Sequence, residues 1–89
     1  MKKANTEITL STDEALVLQH ISEQGEDDIV GLSHGLRMSR QRVATLLAHL
    51  KNKGLVRIQA QYDEWWVQTS RKGSRLVRAM WPELQMTHA

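Results

Sequence analysis

The sequence predicts a single α+β domain in which a small group of helices carries a short antiparallel β-hairpin. Two observations predict this fold. Apolar residues recur with a period of about 3.6 residues up to Gly54, and directly after Gly54 the period changes to about two, as in a half-buried strand. The chain has 89 residues, which suffices for one hydrophobic core but not for two. We therefore expect one domain over residues 10–82, an N-terminal tail over 1–9 and a C-terminal tail over 83–89.

Capping residues divide the helical part into segments. The tetrapeptide STDE at 11–14 has the S-x-x-E form of a capping box and predicts a first helix, for which Gly25 is a suitable end. Asp28 can cap a second, shorter helix. Gly31 and Gly35 within that helix either admit a neighbouring backbone at close range or are tolerated without a packing role.

A third helix follows after a very short turn. Ser39 can cap it, and it extends from about Arg40 to Asn52. Its apolar stripe consists of Val43, Leu46, Leu47 and Leu50. The opposite side carries Gln41, Thr45, Ala48 and Asn52. This helix is therefore predicted to contribute to the core and to present a polar face to solvent.

Two strands and a last helix complete the chain. The first strand alternates from Val56 to Gln61, the second is the segment WWVQT at 65–69, and Ser70 can cap the last helix. The inward side of that helix is expected to hold Gly73, Leu76, Val77 and Met80. Helix, helix, tight turn, helix and hairpin is the element order of a winged helix-turn-helix. In that fold the helix after the turn enters the DNA major groove and the hairpin forms the wing.

Charge is distributed unevenly along the chain although the net charge is only +2. Residues 1–28 hold two lysines and seven carboxylates, whereas residues 29–62 hold six basic residues and no acidic one. This separation produces a field that attracts a polyanion, although a charge run can equally be a solvated helix face. The same alternatives, a phosphate-binding strip or a solvated face, apply to Arg71, Lys72, Arg75 and Arg78 on the last helix.

The sequence lacks the usual signatures of catalysis, metal binding and membrane insertion. It has no Cys, and its four histidines show no close metal-ligand spacing. The longest apolar run, ALVL at 15–18, is too short for a membrane span, and no apolar segment follows the N-terminal lysines. We therefore expect a cytoplasmic protein that is not an enzyme, uses no cofactor or metal, and does not bind membranes.

Two segments carry a resemblance to a known family. Both segments resemble the MarR (multiple-antibiotic-resistance regulator) family. The first, LSTDEALVLQHI, is similar to the family segment L-T-x-x-E-x-x-V-L-x-x-I. The second, LSHGLRMSRQRVATLLAHLKNKGLV, is similar to the helix-turn-helix core of the family. The matching core residues are Leu32, Leu36, Ser39, Val43, Leu47, Leu50, Gly54 and Leu55. The resemblance implies a sequence-specific transcription regulator that binds double-stranded DNA and places the helix at about 39–53 in the major groove.

The resemblance and the charge pattern together nominate a set of DNA-binding residues. Arginine can pair with guanine, glutamine with adenine, and a threonine methyl group can contact thymine, while a helix N-terminus favours phosphate. Arg37 stands where the family usually has Gly and adds a positive charge beside the third helix. Lys51 and Arg57 would at most contact phosphates. The candidate DNA-binding residues are Arg37, Ser39, Arg40, Gln41, Arg42, Thr45, Lys51 and Arg57.

Departures from the family pattern are the evidence for a competing function, a winged-helix module that binds another protein without reading DNA bases. The expected wing tip carries Asp63 and Glu64, which phosphates would repel. Family members usually dimerise through long helices that we do not find in this sequence, so a homodimer or a complex with another protein would be built differently. Adjacent strand residues point to opposite faces, so one of Trp65 and Trp66 can lie in the core. The outward ring either lies over a long side chain or packs on the last helix near Trp81, or Trp65, Trp66 and Trp81 form a partner surface.

Overall fold

The computed structural model describes residues 9–61 and 64–82, and all of their side chains except those of Gln61 and Glu64. The elements are α1 (Thr12–Gln24), β1 (Asp27–Asp28), α2 (Ile29–Leu36), α3 (Arg40–Asn52), β2 (Val56–Gln61), β3 (Glu64–Thr69) and α4 (Arg71–Met80). The α+β winged-helix architecture is confirmed, and the two-residue strand β1 is an element that the sequence does not predict. The predicted tails, apart from Thr9, and the acidic wing tip at Asp63 lie outside the described residues.

Each helix begins at the residue that the sequence predicts. The Ser11 hydroxyl accepts a hydrogen bond from the Glu14 N–H at 3.1 Å, and the Glu14 carboxylate accepts one from the Ser11 N–H at 2.9 Å. The capping box is therefore complete. Asp28, Ser39 and Ser70 likewise accept from the N–H groups of Gly31, Arg42 and Gly73. These caps satisfy donors that have no partner within the helix.

The hydrophobic core lies between the helices and the inner face of the sheet. Its buried members are Val17, Leu18, Ile21, Leu32, Val43, Leu46, Leu47, Leu50, Leu55, Val56, Val67 and Val77. The whole predicted stripe of α3 is among them. The prediction that Met80 faces inward is wrong, because Met80 is 45% exposed. The chain leaves α4 at the next residue, and Trp81 packs against the core instead.

The glycines of α2 make room for side chains rather than for a neighbouring backbone. A Cβ atom on Gly35 would lie 2.7 Å from Cε1 of His20, which belongs to α1. A Cβ atom on Gly31 would overlap the carboxylate of Asp27. The intrinsically weak helix α2 therefore gains close contacts with the elements before it, which answers the question that its two glycines raise in the sequence.

The sheet has the strand order β1-β3-β2 and is antiparallel throughout. Trp66 in β3 pairs with Asp28 on one side and with Gln59 on the other. β1 forms because Asp28 has the extended backbone of a helix cap, with φ −106° and ψ 176°, which a strand can also use. Two acidic residues give no strand signal in the sequence, because aspartate is rare in strands and two residues show no period.

Candidate nucleic-acid interface

A three-residue turn between α2 and α3 sets the direction in which α3 leaves the core. Arg37 has φ 56° and ψ 45°, in the left-handed region that glycine adopts without a steric penalty. The Met38 N–H donates to the Ser33 carbonyl at 3.0 Å and closes the end of α2. Ser39 then caps α3, so the exposed Arg37 directly precedes the N-terminal end of that helix, as its sequence position suggests.

The two faces of α3 are arranged as the sequence predicts. Val43, Leu46, Leu47 and Leu50 are buried. Gln41, Thr45, Ala48 and Asn52 are exposed on the opposite side, and Arg40 and Arg42 are exposed at the N-terminal end. The N-terminal half of α3 therefore offers cationic, amide and small polar groups to solvent on a helix whose other face is fixed in the core.

Hydrogen bonds within α3 determine which atoms are left for a ligand. The Thr45 hydroxyl donates to the Gln41 carbonyl at 3.1 Å, so the threonine methyl group is the part available for an apolar contact. Among the residues that the structure describes, neither the Arg40 guanidinium nor the Gln41 side-chain amide has a hydrogen-bond partner. These two groups can meet base edges without first breaking an internal contact.

Arg42 differs from its neighbours because it is already paired. Its Nη2 atom lies 2.8 Å from Oδ2 of Asp13, in the first turn of α1. The Arg42 side chain is 50% exposed and that of Asp13 is 39% exposed, so solvent screens the pair. An incoming phosphate would compete with Asp13 for this guanidinium. Sequence reasoning missed Asp13, since no local signal connects residues 29 positions apart.

A nearly buried carboxylate holds the C-terminal end of α3 against α1. Oε1 of Glu14 accepts a hydrogen bond from the Lys53 ammonium at 2.8 Å, and Oε2 lies 3.4 Å from Nδ1 of His49. The hydrogen bond from Lys53, followed by that from the Ser11 N–H, lowers the pKa of Glu14 below its ordinary value. Lys53 also donates to the Thr9 carbonyl at 2.7 Å. Lys53 therefore stabilises the packing of α1 and the preceding residue Thr9 against the end of α3.

The structure separates the eight predicted DNA-binding residues into three places. Arg37, residues 39–42 and Thr45 share the turn and the N-terminal half of α3. Lys51 is exposed further along the helix, at the edge of a cleft between α3 and the wing. Arg57 lies at the start of β2 and lines a groove with arginines of α4 instead. The sequence does not reveal that Arg57 belongs with the last helix.

The tryptophans occupy different environments. Trp65 and Trp66 lie on opposite faces of β3, as predicted, but neither is among the buried core residues. Trp65 is 48% exposed and lines the cleft of about 310 Å³ between α3 and the wing, beside Ala44 and Ala48. Trp66 is half-buried on the other face, and Trp81 packs on the core. The ring of Trp65 is thus the one that is most open to a partner.

Within residues 9–61 and 64–82, no group of three or more acidic or histidine side chains is placed to hold a metal ion. No helix in these ranges combines the length and hydropathy that crossing a bilayer requires.

Solved structures share this fold at low sequence identity. A MarR family protein from Bacillus stearothermophilus superimposes with a TM-score of 0.77 at 19% identity over 94% of this chain. Bordetella bronchiseptica BpsR, whose DNA binding is regulated by 6-hydroxynicotinic acid, gives 0.76 at 20% identity over 88%. Reduced AbfR bound to DNA gives 0.76 at 16% identity over 86%. No protein-family model and no curated protein matches the sequence.

The comparisons define the class of fold. The chain has the winged-helix fold of MarR-type structures, which confirms the fold that the sequence motifs imply. It spans 60% of the length of the Bacillus stearothermophilus protein, 60% of BpsR and 58% of AbfR. At identities of 16–20%, the likeness extends to the path of the backbone and not to individual side chains.

Proposed function

We propose that this protein is a transcription regulator that binds double-stranded DNA and reads its sequence with the N-terminal half of α3. The observation that carries the proposal is the pair of groups without internal partners among the described residues, Arg40 and the Gln41 amide. They project from a capped helix that the core holds on its other side. Arginine and glutamine are the side chains that make bidentate contacts with guanine and adenine.

Further features of the site support this assignment. α3 follows the short turn of a helix-turn-helix, and AbfR, which has the same fold, has been solved in complex with DNA. Ser39 and the N-terminal N–H groups of α3 suit a backbone phosphate, and Thr45 presents its methyl group. A single copy offers few base contacts, so tight binding requires a second copy on a pseudo-palindromic site or a partner protein.

The test separates base reading from phosphate contact. An unbiased selection of duplex sequences is followed by fluorescence anisotropy with the preferred duplex and a scrambled one. Arg40→Ala and Gln41→Ala should each reduce the preference by about 1–3 kcal/mol, because each removes a bidentate base contact. Lys51→Ala should weaken binding to both duplexes equally and reduce the slope of log K against log salt by roughly one.

Gln24→Ala provides the matched control, because it removes the same amide from the exposed end of α1. It should leave both affinities unchanged. If the parent protein binds no duplex at low salt, in any oligomeric state that it reaches, the proposal fails.

The exposed Trp65 supports a second candidate function, a module that binds a protein through the cleft between α3 and the wing. An aromatic ring that is 48% exposed above a small apolar cleft is typical of an anchor for a partner side chain. Light scattering at high concentration tests self-association through this surface. A monomer for both the parent and Trp65→Ala would remove a second copy as the partner.

A further inference from the structure

A groove between α4 and the start of β2 collects most of the arginines that α3 does not carry. Its volume is about 490 Å³, and it is lined by Arg57, Arg71, Arg75 and Arg78 together with Thr69, Ser70 and Ser74. The sequence leaves the α4 cations as either a phosphate strip or a solvated face. Because Arg57 of β2 lines the same groove as the α4 arginines, we interpret these side chains as one site.

The arginines of this groove have no carboxylate partner among the side chains that the structure describes. Two other cations of the chain are paired, since Arg42 contacts Asp13 and Lys53 contacts Glu14. Four positive charges around one groove repel each other, and an anion between them would relieve that repulsion. The groove therefore has the electrostatics of a binding site for an anion.

The spacing of the arginines selects an extended anion. Arg71, Arg75 and Arg78 occupy one side of α4 and span about 10 Å along its axis, given a rise of about 1.5 Å per residue. Arg57 reaches the same groove from β2. Guanidinium groups bind phosphate oxygens in a bidentate manner, and a row of them matches several phosphate groups in line. A single small anion would leave part of the row unoccupied.

The groove is also separate from the face of α3 proposed to read DNA. Ser70, at the start of α4, donates a hydrogen bond to the Gly54 carbonyl at 2.6 Å, and the Ser70 N–H donates to the Leu55 carbonyl at 2.9 Å. The groove therefore adjoins the C-terminal end of α3. That end lies about 20 Å from Arg40, since α3 has 13 residues.

We infer that this arginine groove is a second binding site, specific for a ligand that carries several phosphate groups in a row. This site goes beyond the proposed reading of DNA bases by α3. Two sources supply the same chemistry: the sugar-phosphate backbone of a nucleic acid strand, and a free polyphosphorylated small molecule.

Titration calorimetry of the full chain with inorganic tripolyphosphate at low ionic strength tests the site without DNA. The parent should bind one equivalent. Arg75→Gln should weaken binding about tenfold, and the double variant Arg57→Gln/Arg75→Gln about a hundredfold, because each loses a charge-assisted contact. Both residues are exposed, so the variants should stay folded, which circular dichroism checks.

Lys72→Gln is the matched control, since it removes one positive charge from an exposed position of α4 that does not line the groove. It should weaken tripolyphosphate binding clearly less than Arg75→Gln does, because Lys72 makes no contact with an anion in the groove and acts on it only through water at a longer distance. Equal losses in Lys72→Gln and Arg75→Gln would overturn the inference, as would the absence of saturable binding by the parent.

Duplex binding by the same variants then identifies the source of the phosphate. A loss of duplex affinity in Arg57→Gln/Arg75→Gln, with a salt slope reduced by roughly two, assigns the groove to a nucleic acid backbone. Unchanged duplex affinity together with lost tripolyphosphate binding assigns it to a free phosphorylated molecule. Gln41→Ala should leave tripolyphosphate binding intact, so this site and base reading by α3 can fail independently.

Discussion

The ion pair between Asp13 and Arg42 makes a sharp prediction about DNA affinity: Asp13→Asn should bind duplex DNA more tightly than the parent. The substitution keeps the size of the side chain and removes a carboxylate that lies 2.8 Å from the Arg42 guanidinium. Both side chains are substantially exposed, so the pair stabilises the fold by only about 0–1 kcal/mol. The variant should therefore stay folded while the surface that we propose to bind DNA loses a competing negative charge.

The magnitude follows from Coulomb's law in water. A unit charge about 7 Å from a phosphate contributes roughly 0.6 kcal/mol at the dielectric constant of water, and two neighbouring phosphates bring the repulsion to about 1 kcal/mol. Removing it corresponds to about fivefold tighter binding at low salt. The gain should shrink as the salt concentration rises, because the Debye length falls to about 8 Å at physiological ionic strength.

Fluorescence anisotropy with the selected duplex, over a series of salt concentrations, measures the effect. Glu23→Gln is the matched control, because it removes one carboxylate from the same helix about 15 Å further along the axis. Equal gains in Asp13→Asn and Glu23→Gln would mean that net charge alone is responsible. A lower affinity in Asp13→Asn would refute the placement of Arg42 at the DNA surface.

Three further predictions concern stability, and urea unfolding measures each of them. Arg37→Gly should raise the free energy of unfolding by about 1 kcal/mol, because glycine adopts the left-handed backbone of Arg37 without a steric penalty; an unchanged midpoint would contradict this. Gly73→Ala should lower it by more than about 2 kcal/mol despite the helix preference of alanine, because a Cβ atom would overlap the backbone carbonyl oxygen of Leu55; a neutral result would contradict that contact. Glu14→Gln should reduce the loss of stability that the parent shows as the pH falls. The lowered pKa of Glu14 stabilises the parent fully at pH values well above the ordinary value of 4.5, and this stability is lost as the pH falls through the folded-state pKa. Equal dependence of stability on pH in the parent and the variant below about pH 5 would disprove this prediction.

Local chemistry explains why most of the fold is predictable from the sequence. Each of the four helix caps depends on a side chain and an N–H group three residues away, as for Ser39 and Arg42. The stripe of α3 depends only on helical periodicity. These signals can be recognised without knowledge of the tertiary structure. The element order and the exposed polar face of α3 therefore follow directly from the sequence.

The remaining features require contacts between distant residues. Lys53 binds Glu14 from 39 positions away, and Arg57 meets α4 across the whole hairpin. Alternation correctly puts Trp65 and Trp66 on opposite faces, but the space around each ring depends on how α3 packs beside the wing. The sequence pattern likewise does not determine whether Met80 or Trp81 covers the core, because that depends on where α4 ends.

The two-residue strand β1 gives this small domain a mechanical linkage. The Asp28 carboxylate caps α2 at 2.7 Å from the Gly31 N–H, while the backbone of Asp28 pairs with Trp66 in the wing. These contacts join the hairpin to the first turn of α2, and the tight turn at Arg37 connects α2 to α3. Because these contacts are consecutive, a partner that displaced the hairpin would also act on α2 and on the turn before α3, the helix that we propose to read DNA.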